Sequence, residues 1–146
     1  MIEPEAEQVQ TPVELIPSPP LRRKPRRNLK SAKAAGAWME RITAEFLASR
    51  LNEDRIERRT KNGSNDRGDI TGVKTIRGGR VVIECKNVRT LALPAWLREA
   101  EIERGNDDAV IGVVVHKASG TQNPADQHVT MTLETFARLL EGGGDT

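Results

Sequence analysis

The sequence has few or none of the residues that form disulfides, zinc sites or covalent tyrosine intermediates. Among its 146 residues there is one cysteine, there are two histidines, and there is no tyrosine. A single thiol forbids an intrachain disulfide, and so few thiol and imidazole ligands argue against a structural zinc site. The absence of tyrosine excludes any reaction that passes through a covalent phosphotyrosyl intermediate in this chain.

Long apolar stretches are also missing. No apolar run approaches the roughly 20 residues that a membrane-spanning helix needs. The proline-rich, acidic N-terminus has the wrong composition for a signal peptide. We therefore expect no membrane partner and a cytoplasmic location. With 36% hydrophobic and 30% charged residues, the chain is long enough for one globular domain with some disordered sequence.

Acidic and basic residues are segregated near the N-terminus. Residues 1–20 contain four glutamates and no Lys or Arg, whereas residues 21–33 contain seven basic residues and no acid. Six of the eight prolines lie in residues 1–30, which predicts a disordered or extended tail there. The basic segment is either a solvated tail or a contact for nucleic acid, and its density favours nucleic acid. Its basic residues are Arg22, Arg23, Lys24, Arg26, Arg27, Lys30 and Lys33.

The rest of the chain predicts three helices. Ser31 is a plausible N-cap for a helix over residues 31–51, in which Trp38, Ile42 and Phe46 have the spacing of a core-facing stripe. Pro94 in the first turn and a glycine at the end delimit a second helix over residues 93–104. A third helix is predicted over residues 133–141.

Five strands are predicted between and after these helices, at residues 54–60, 69–76, 80–86, 109–116 and 127–131. A Gly-Gly turn joins the second and third strands as a hairpin. The second helix connects the third strand to the very hydrophobic fourth strand, which predicts a parallel pair. The expected fold is α/β, a mixed central sheet flanked by helices in the order α-β-β-β-α-β-β-α. The domain would span residues 31–141, with a flexible glycine-rich tail at 142–146.

Two carboxylates and an ammonium converge in the predicted hairpin. Glu84 and Lys86 share one face of their strand, while Ile83 and Cys85 take the other face. Asp69, 15 residues before Glu84, comes close to it if the two strands pair. Carboxylate oxygens suit a hard cation such as Mg²⁺, which keeps several waters. This pattern predicts a metal-dependent phosphodiesterase that acts on nucleic acid.

A third acid lies on the first predicted helix. On the helical wheel Glu40 falls between Leu47 and Leu51, on a face that otherwise carries leucines. A carboxylate there is costly unless it meets a cation or hydrogen-bond donors. Glu40 is therefore either part of the site or an acid that reaches water at a loosely packed helix end, and we favour the site.

A polar loop over residues 61–67 precedes Asp69 and is surrounded by positive charge. Such a loop beside a site is often functional, although the same composition is found in ordinary surface loops. Its candidate contacts to nucleic acid are Arg58, Arg59, Lys61, Ser64 and Arg67.

These features together resemble the PD-(D/E)xK nuclease superfamily, and within it the archaeal-type Holliday-junction resolvases and their phage relatives. The resemblance covers roughly residues 30–117. The matching segments are Gly36 to Arg41, the Gly63–Ser64 loop, Gly68 to Ile70, and Ile83 to Lys86. The chain departs from the superfamily in having Gly68 where the motif has proline, and in its long N-terminal extension.

The resemblance implies a restriction-endonuclease-like fold and a phage, bacterial or archaeal origin. It implies that Asp69 and Glu84 bind Mg²⁺, for which Mn²⁺ can substitute, supported by Glu40 and the Cys85 backbone carbonyl. Lys86 would orient the attacking water or stabilise the pentacoordinate phosphorus. The Cys85 thiol is expected to be inert core rather than a nucleophile. His116 and His128 are expected to be structural, and Trp96 belongs either to the core or to a dimer face.

Three functions remain open at this point. The first is an endodeoxyribonuclease that nicks four-way DNA junctions symmetrically, which requires a C2 homodimer with two active sites. The second is a repair- or restriction-type nuclease for flaps, nicks or duplex DNA. The third is a non-catalytic DNA-binding protein on a nuclease fold, which would not need the full set of Asp69, Glu84 and Lys86.

Overall fold

A computed structural model describes residues 28–60 and 65–144, together with Glu14, Pro17, Ser18 and Pro20. The helices are α1 (Leu29–Arg50), α2 (Leu93–Asn106) and α3 (Leu133–Leu140). The strands are β1 (Glu57–Arg58), β2 (Ile70–Thr71), β3 (Val81–Lys86), β4 (Ile111–His116) and β5 (His128–Thr130), and a 3₁₀ turn at Pro124–Asp126 precedes β5. The predicted order of elements and the α/β class are confirmed. No helix in the described part of the chain is long and apolar enough to cross a membrane.

The five strands form one mixed sheet in the order β1-β2-β3-β4-β5. The β3–β4 pair is parallel and the other pairs are antiparallel. The α2 helix is the crossover that the parallel pair requires, as the sequence predicts. All six residues of β4 are buried, which is the position expected for the most β-branched run in the chain.

Helices cover both faces of the sheet. Ile83 and Cys85 of β3 belong to the larger core cluster, which includes Met39 of α1. On the same face an apolar cavity of about 320 Å³ is lined by residues of both α1 and α3. On the opposite face Trp96 of α2 packs against Val114. Trp96 is therefore core, which rules out a dimer-face role for its side chain.

The α1 helix differs from its prediction at its start and in its buried stripe. Asn28, rather than Ser31, is the N-cap, because its Oδ1 accepts a hydrogen bond of 2.8 Å from the Ser31 amide. The helix therefore includes Leu29 and Lys30, which the predicted tail over residues 1–30 contained. Its buried residues are Met39, Thr43 and Ala44, and the predicted core residues Trp38, Ile42 and Phe46 are only partly buried beside them.

The first two strands are shorter than predicted. Both residues of β1 are exposed, and Ile56 is the single apolar residue of the charged run at residues 54–60, where it joins the core. Beyond β2 the hairpin continues as an isolated antiparallel bridge between Lys74 and Arg80. Gly78 allows the predicted turn, since its φ is +85°.

The C-terminal glycines pack on this hairpin. The Thr75 hydroxyl donates a hydrogen bond of 2.8 Å to the carbonyl of Gly143. The Arg77 amide donates to the carbonyl of Gly142. Gly143 is also buried, so residues 142 and 143 pack on the folded unit, whereas residues 145 and 146 of the predicted flexible tail lie outside the described residues.

His116 packs against its neighbours at the edge of the core. It is buried at the end of β4, its Nε2 lies 2.7 Å from Thr130 Oγ1, and its ring contacts Trp96 and His128. Burial, followed by the proximity of His128, lowers the pKa of His116. The structural role predicted for it is consistent with this environment.

Candidate active site

Asp69 is fixed at the start of β2 by two backbone contacts to β3. Its amide donates to the Ile83 carbonyl at 2.9 Å, and its Oδ2 accepts a hydrogen bond of 2.8 Å from the Cys85 amide. The pairing of Ile70 with Ile83 brings Asp69 next to Glu84, as the hairpin predicts. Because the amide and carbonyl of a strand residue point to the same side, the Cys85 carbonyl is directed toward the edge where Asp69 lies.

Gly68, immediately before this aspartate, can only be glycine. Its φ is +89°, and a Cβ at this position would lie 2.9 Å from Val82 Cγ1 and 3.1 Å from the Ile83 carbonyl oxygen. Proline, whose φ is fixed near about −65°, cannot adopt this conformation. Proline therefore does not fit at position 68 in this structure.

Glu84 and Lys86 project from β3 on the face covered by α2, as their spacing predicts. Lys86 Nζ lies 3.2 Å from Glu84 Oε1. The neighbouring Cys85 belongs to the core of the opposite face. Burial, with the Asp69 carboxylate as the second cause, raises the pKa of the Cys85 thiol far above its ordinary value. The thiol is therefore not a nucleophile.

The α2 helix contributes a row of acids that the sequence prediction missed. Glu99, Glu103 and Asp107 are spaced by four residues, so they lie on one side of the helix. Glu99 Oε2 accepts a hydrogen bond of 2.5 Å from Lys86 Nζ, and Asp107 Oδ2 lies 3.3 Å from Arg59 Nη2. Glu103, between them, contacts Glu84. The four-residue spacing on a crossover helix was the available sequence signal for this row.

The centre of this arrangement holds more negative charge than its cations balance. Asp69, Glu84 and Glu103 are only 4%, 8% and 4% exposed. Burial, and then repulsion from Asp69, raises the pKa of Glu84 to about 7. Burial, and then the neighbouring Glu84 carboxyl, raises the pKa of Glu103 to about 10. The Oε2 atoms of Glu84 and Glu103 are both buried without a hydrogen-bond partner.

Lys86 is a cation in this environment. Burial opposes its charge, but the hydrogen bond to Glu99 and the attraction of Glu84 outweigh burial and raise the pKa of Lys86. A lysine held in its charged form does not remove a proton from water at neutral pH. It can orient a water molecule or stabilise negative charge on a phosphate.

Glu40 does not join this cluster. Its Oε2 accepts hydrogen bonds from Arg58 Nη2 at 2.8 Å and from Arg58 Nε at 3.1 Å. The acid thus meets a cation on β1, which satisfies a carboxylate on a leucine-bearing helix face. Within the described residues, no group of three or more Asp, Glu, His or Cys side chains is arranged to hold a metal ion. Of the three carboxylates predicted for the site, the structure places Asp69 next to Glu84 and pairs Glu40 with Arg58.

The Asp69–Glu84 pair still fits a hard divalent cation. Magnesium sites commonly use one or two carboxylates, with waters and substrate phosphate oxygens as the remaining ligands. Asp69, Glu84 and the Cys85 carbonyl offer only oxygen donors, and the excess negative charge around Glu84 would be relieved by a cation. Glu103 is a neighbour of Glu84, so its protonation state would change the net charge around the Asp69–Glu84 pair.

The predicted DNA-binding residues have different positions. Arg58 and Arg59 are ion-paired, with Glu40 and Asp107 respectively. Arg67 is exposed beside Arg59. Lys30 and Lys33 are exposed on the first turns of α1. The remaining candidates, Arg22, Arg23, Lys24, Arg26, Arg27, Lys61 and Ser64, lie outside the described residues.

Comparison with known proteins adds no assignment. No protein-family model, no curated protein and no solved structure matches this chain. A functional assignment therefore depends on the geometry of the chain's own residues.

Proposed function

We propose that this protein is a metal-dependent endodeoxyribonuclease that hydrolyses phosphodiester bonds. The observation that carries the proposal is the arrangement of Asp69, Glu84 and Lys86. Two adjacent buried carboxylates and a charged lysine lie together, with a 3.2 Å contact between Lys86 and Glu84. This is also the residue set on which the resemblance to PD-(D/E)xK nucleases rests.

Each residue has a defined role in the proposal. Asp69, Glu84 and the Cys85 carbonyl would hold Mg²⁺ or Mn²⁺. When bound, the cation lowers the pKa of a water ligand and neutralises charge on a phosphate oxygen. Lys86 orients the attacking water or stabilises charge on the phosphate. Glu99 holds Lys86 in place and keeps it protonated.

A structural alternative is that the buried charges only stabilise the fold. Buried ion pairs are often neutral or unfavourable compared with apolar residues. Two of the three central acids have pKa values raised to about 7 and about 10, so the cluster is strained rather than balanced. Perturbed groups of this kind concentrate at functional sites.

Four-way junctions are the proposed substrate, and this part depends on dimerisation. An exposed apolar stripe on α3 supports a second copy of the chain as partner. Leu133, Phe136, Ala137 and Leu140 have the i, i+3, i+4, i+7 spacing of a helix-pairing face, and Leu133 and Leu140 are 81% and 71% exposed.

A cleavage assay tests the function. The full chain is incubated with Mg²⁺ and with a four-way junction, a flap, a nicked duplex or an intact duplex of matched sequence. Symmetric nicks in the junction support a resolvase, and preferred cutting of the other substrates supports a repair- or restriction-type nuclease. Glu84→Gln should abolish cutting and retain DNA binding, whereas Glu45→Gln, at an exposed position on α1, should cut normally. Tight binding without cutting in either Mg²⁺ or Mn²⁺ would leave only the non-catalytic DNA-binding function.

A further inference from the structure

A cationic cavity lies beside the acid cluster. It has a volume of about 280 Å³ and lies between the β2–β3 hairpin and the end of α2. Its titratable lining residues are four basic ones and one acid: Arg59, Arg67, Lys74, Arg80 and Asp107. The sequence predicts nucleic-acid contacts for Arg59 and Arg67 and gives no role to Lys74 and Arg80.

Two of these cations face each other. Lys74 and Arg80 are directly opposite across an antiparallel bridge. Like charges in this position are destabilising. Arg80 Nη2 donates a hydrogen bond of 3.3 Å to the Asp108 main-chain carbonyl and lies 4.0 Å from the fully exposed Asp108 carboxylate. An anion between Lys74 and Arg80 would remove this repulsion.

Arg59 is anchored at the wall of the cavity but is incompletely satisfied. Its Nη2 contacts Asp107 at 3.3 Å, whereas its Nε is buried and has no hydrogen-bond partner. A buried donor without a partner is costly. A guanidinium in this state is suited to a planar or tetrahedral oxyanion, which accepts two hydrogen bonds at once.

The cavity is connected directly to the candidate active site. The Arg59 amide donates a hydrogen bond of 2.8 Å to the carbonyl of Asp69. Asp107, which holds the Arg59 side chain, follows Glu103 by one turn of α2. An anion in the cavity would therefore be a neighbour of whatever binds at Asp69 and Glu84.

We propose that this cavity binds a phosphate group, held by Arg59, Arg67, Lys74 and Arg80. In the proposed nuclease the phosphate belongs to the DNA backbone and lies next to the phosphate that is cut, an extension that depends on the proposed function. The volume is just below the roughly 300–1,000 Å³ of pockets that enclose drug-sized ligands. The cavity therefore suits a phosphate with part of a sugar rather than a complete dinucleotide.

Inorganic phosphate tests the cavity independently of any nuclease activity. The full chain, in metal-free buffer, is titrated with sodium phosphate and separately with sodium chloride at equal ionic strength, while backbone amide resonances are followed. Amides of residues 71–74 and 80–81 should shift saturably with phosphate alone. The double variant Lys74→Gln/Arg80→Gln should lose this response. Equal responses to both salts, or an unchanged response in the variant, would mean charge screening only and would overturn the proposal.

A folding control accompanies this titration. Because the substitutions remove a like-charge contact, the double variant should unfold at the same temperature as the wild type or higher in chloride buffer. Phosphate should raise the unfolding temperature of the wild type more than that of the variant. A larger phosphate-induced increase in the variant than in the wild type would contradict a cavity that an anion stabilises.

DNA binding separates the backbone phosphate from free phosphate as the ligand. Fluorescence anisotropy of a labelled duplex, measured in EDTA over a range of salt, should show that the double variant binds several-fold more weakly at low salt. Its log–log salt slope should be reduced by about 1, the value for one lost phosphate contact. Arg98→Gln, an exposed arginine of α2 outside the cavity, should retain the wild-type slope.

If the double variant keeps the wild-type salt slope for DNA binding while the wild type binds inorganic phosphate, the ligand of the cavity is free phosphate and not the DNA backbone. Failure of the proposed nuclease function is seen separately, as a wild-type chain that binds phosphate in the cavity but cuts no substrate.

Discussion

Glu103, on α2, and Glu84, on β3, place two carboxyl groups together in a buried position beside Asp69, and the Oε2 atom of each has no hydrogen-bond partner. Because burial, and then the neighbouring Glu84, raises the pKa of Glu103 to about 10, we expect the two groups to share one proton at neutral pH. This shared proton would join β3 to the crossover helix by a contact whose strength depends on pH. The motif of Asp69, Glu84 and Lys86 does not include Glu103, so it does not predict this contact.

The first prediction concerns the pH dependence of stability in the metal-free protein. The ordinary pKa of both carboxyls is 4.5, and the folded values are raised to about 7 for Glu84 and about 10 for Glu103. The folded chain thus keeps protons that the unfolded chain releases. The resulting stability is full below about pH 4.5 and is lost as the pH rises through 7 and toward 10.

Glu103→Gln removes the higher of these two titrations while keeping a hydrogen-bond donor for Glu84. The variant should match the wild type at pH 5 and exceed it at pH 9 by at least about 2 kcal/mol, since one pKa unit corresponds to about 1.36 kcal/mol. Urea unfolding in EDTA at pH 5, 7 and 9 measures this difference. Glu101→Gln, an exposed acid on the same helix, is the control, and parallel pH profiles for all three chains would refute the shared proton.

The second prediction is that a divalent cation replaces the shared proton. Mg²⁺ or Mn²⁺ should raise the unfolding temperature of the wild type, and more at pH 8 than at pH 6, because metal and proton compete for Glu84. A cation at 100 times its dissociation constant would add about 2.7 kcal/mol. Differential scanning fluorimetry with and without EDTA measures the effect.

Three variants make this metal test specific. Asp69→Asn and Glu84→Gln should lose the metal-dependent increase. Glu40→Gln should retain it, because Glu40 is engaged by Arg58. If Glu40→Gln loses the metal-dependent increase in unfolding temperature, Glu40 is a ligand, as the resemblance implies. If Glu84→Gln retains the increase, the metal binds at a different site.

Local patterns predicted the fold well where one physical signal was dominant. The β-branched run over residues 109–116 could only be a buried strand, and the helix before it required a parallel pair. The i, i+2 spacing placed Glu84 and Lys86 on one face, and the Gly-Gly turn placed Asp69 beside Glu84. Each of these inferences uses contacts between near neighbours or across a single turn.

The site was less predictable where partners come from distant elements. A helical wheel identifies Glu40 as an acid on an apolar face, but it cannot say whether the compensating cation is a metal or Arg58. Likewise, Glu99, Glu103 and Asp107 can be recognised as neighbours of the site only when the packing of α2 on β3 is known. The side of the sheet on which a crossover helix packs, and its rotation, are set by tertiary packing and not by the helix's own sequence.

The third prediction concerns the apolar stripe of α3. Wild-type chain should have the mass of a dimer in solution, and Leu133→Glu/Leu140→Glu should be monomeric because the substitutions place charge in the pairing face. Both leucines are highly exposed in the single chain, so the variant should still fold, with an unfolding temperature lowered only by the stabilisation that dimerisation provides. Sedimentation or light scattering measures the mass, and Ile102→Glu, on exposed α2 surface, serves as the control. A wild-type monomer, with or without junction DNA, would remove the symmetric-nicking mechanism.

The fourth prediction separates Lys86 from the residue that positions it. Lys86 Nζ is held between Glu84 Oε1 at 3.2 Å and Glu99 Oε2 at 2.5 Å. Lys86→Met removes the charge and should abolish cleavage without weakening DNA binding. Glu99→Gln retains a polar contact but removes the carboxylate that fixes the ammonium. It should therefore slow cleavage by roughly 10–100-fold, the usual cost of losing an outer-shell partner.

The discriminating measurement for Glu99 is single-turnover cleavage at saturating DNA, followed over a range of pH. If Glu99 positions Lys86, the variant's rate constant falls while its DNA affinity does not, since the lysine acts on the reacting phosphate rather than on binding. Glu99 also helps to keep Lys86 protonated, so the variant should lose activity at a lower pH than the wild type at the alkaline end. Glu101→Gln should follow the wild type at every pH. A Glu99→Gln chain with normal rates would show that Glu84 alone holds the lysine.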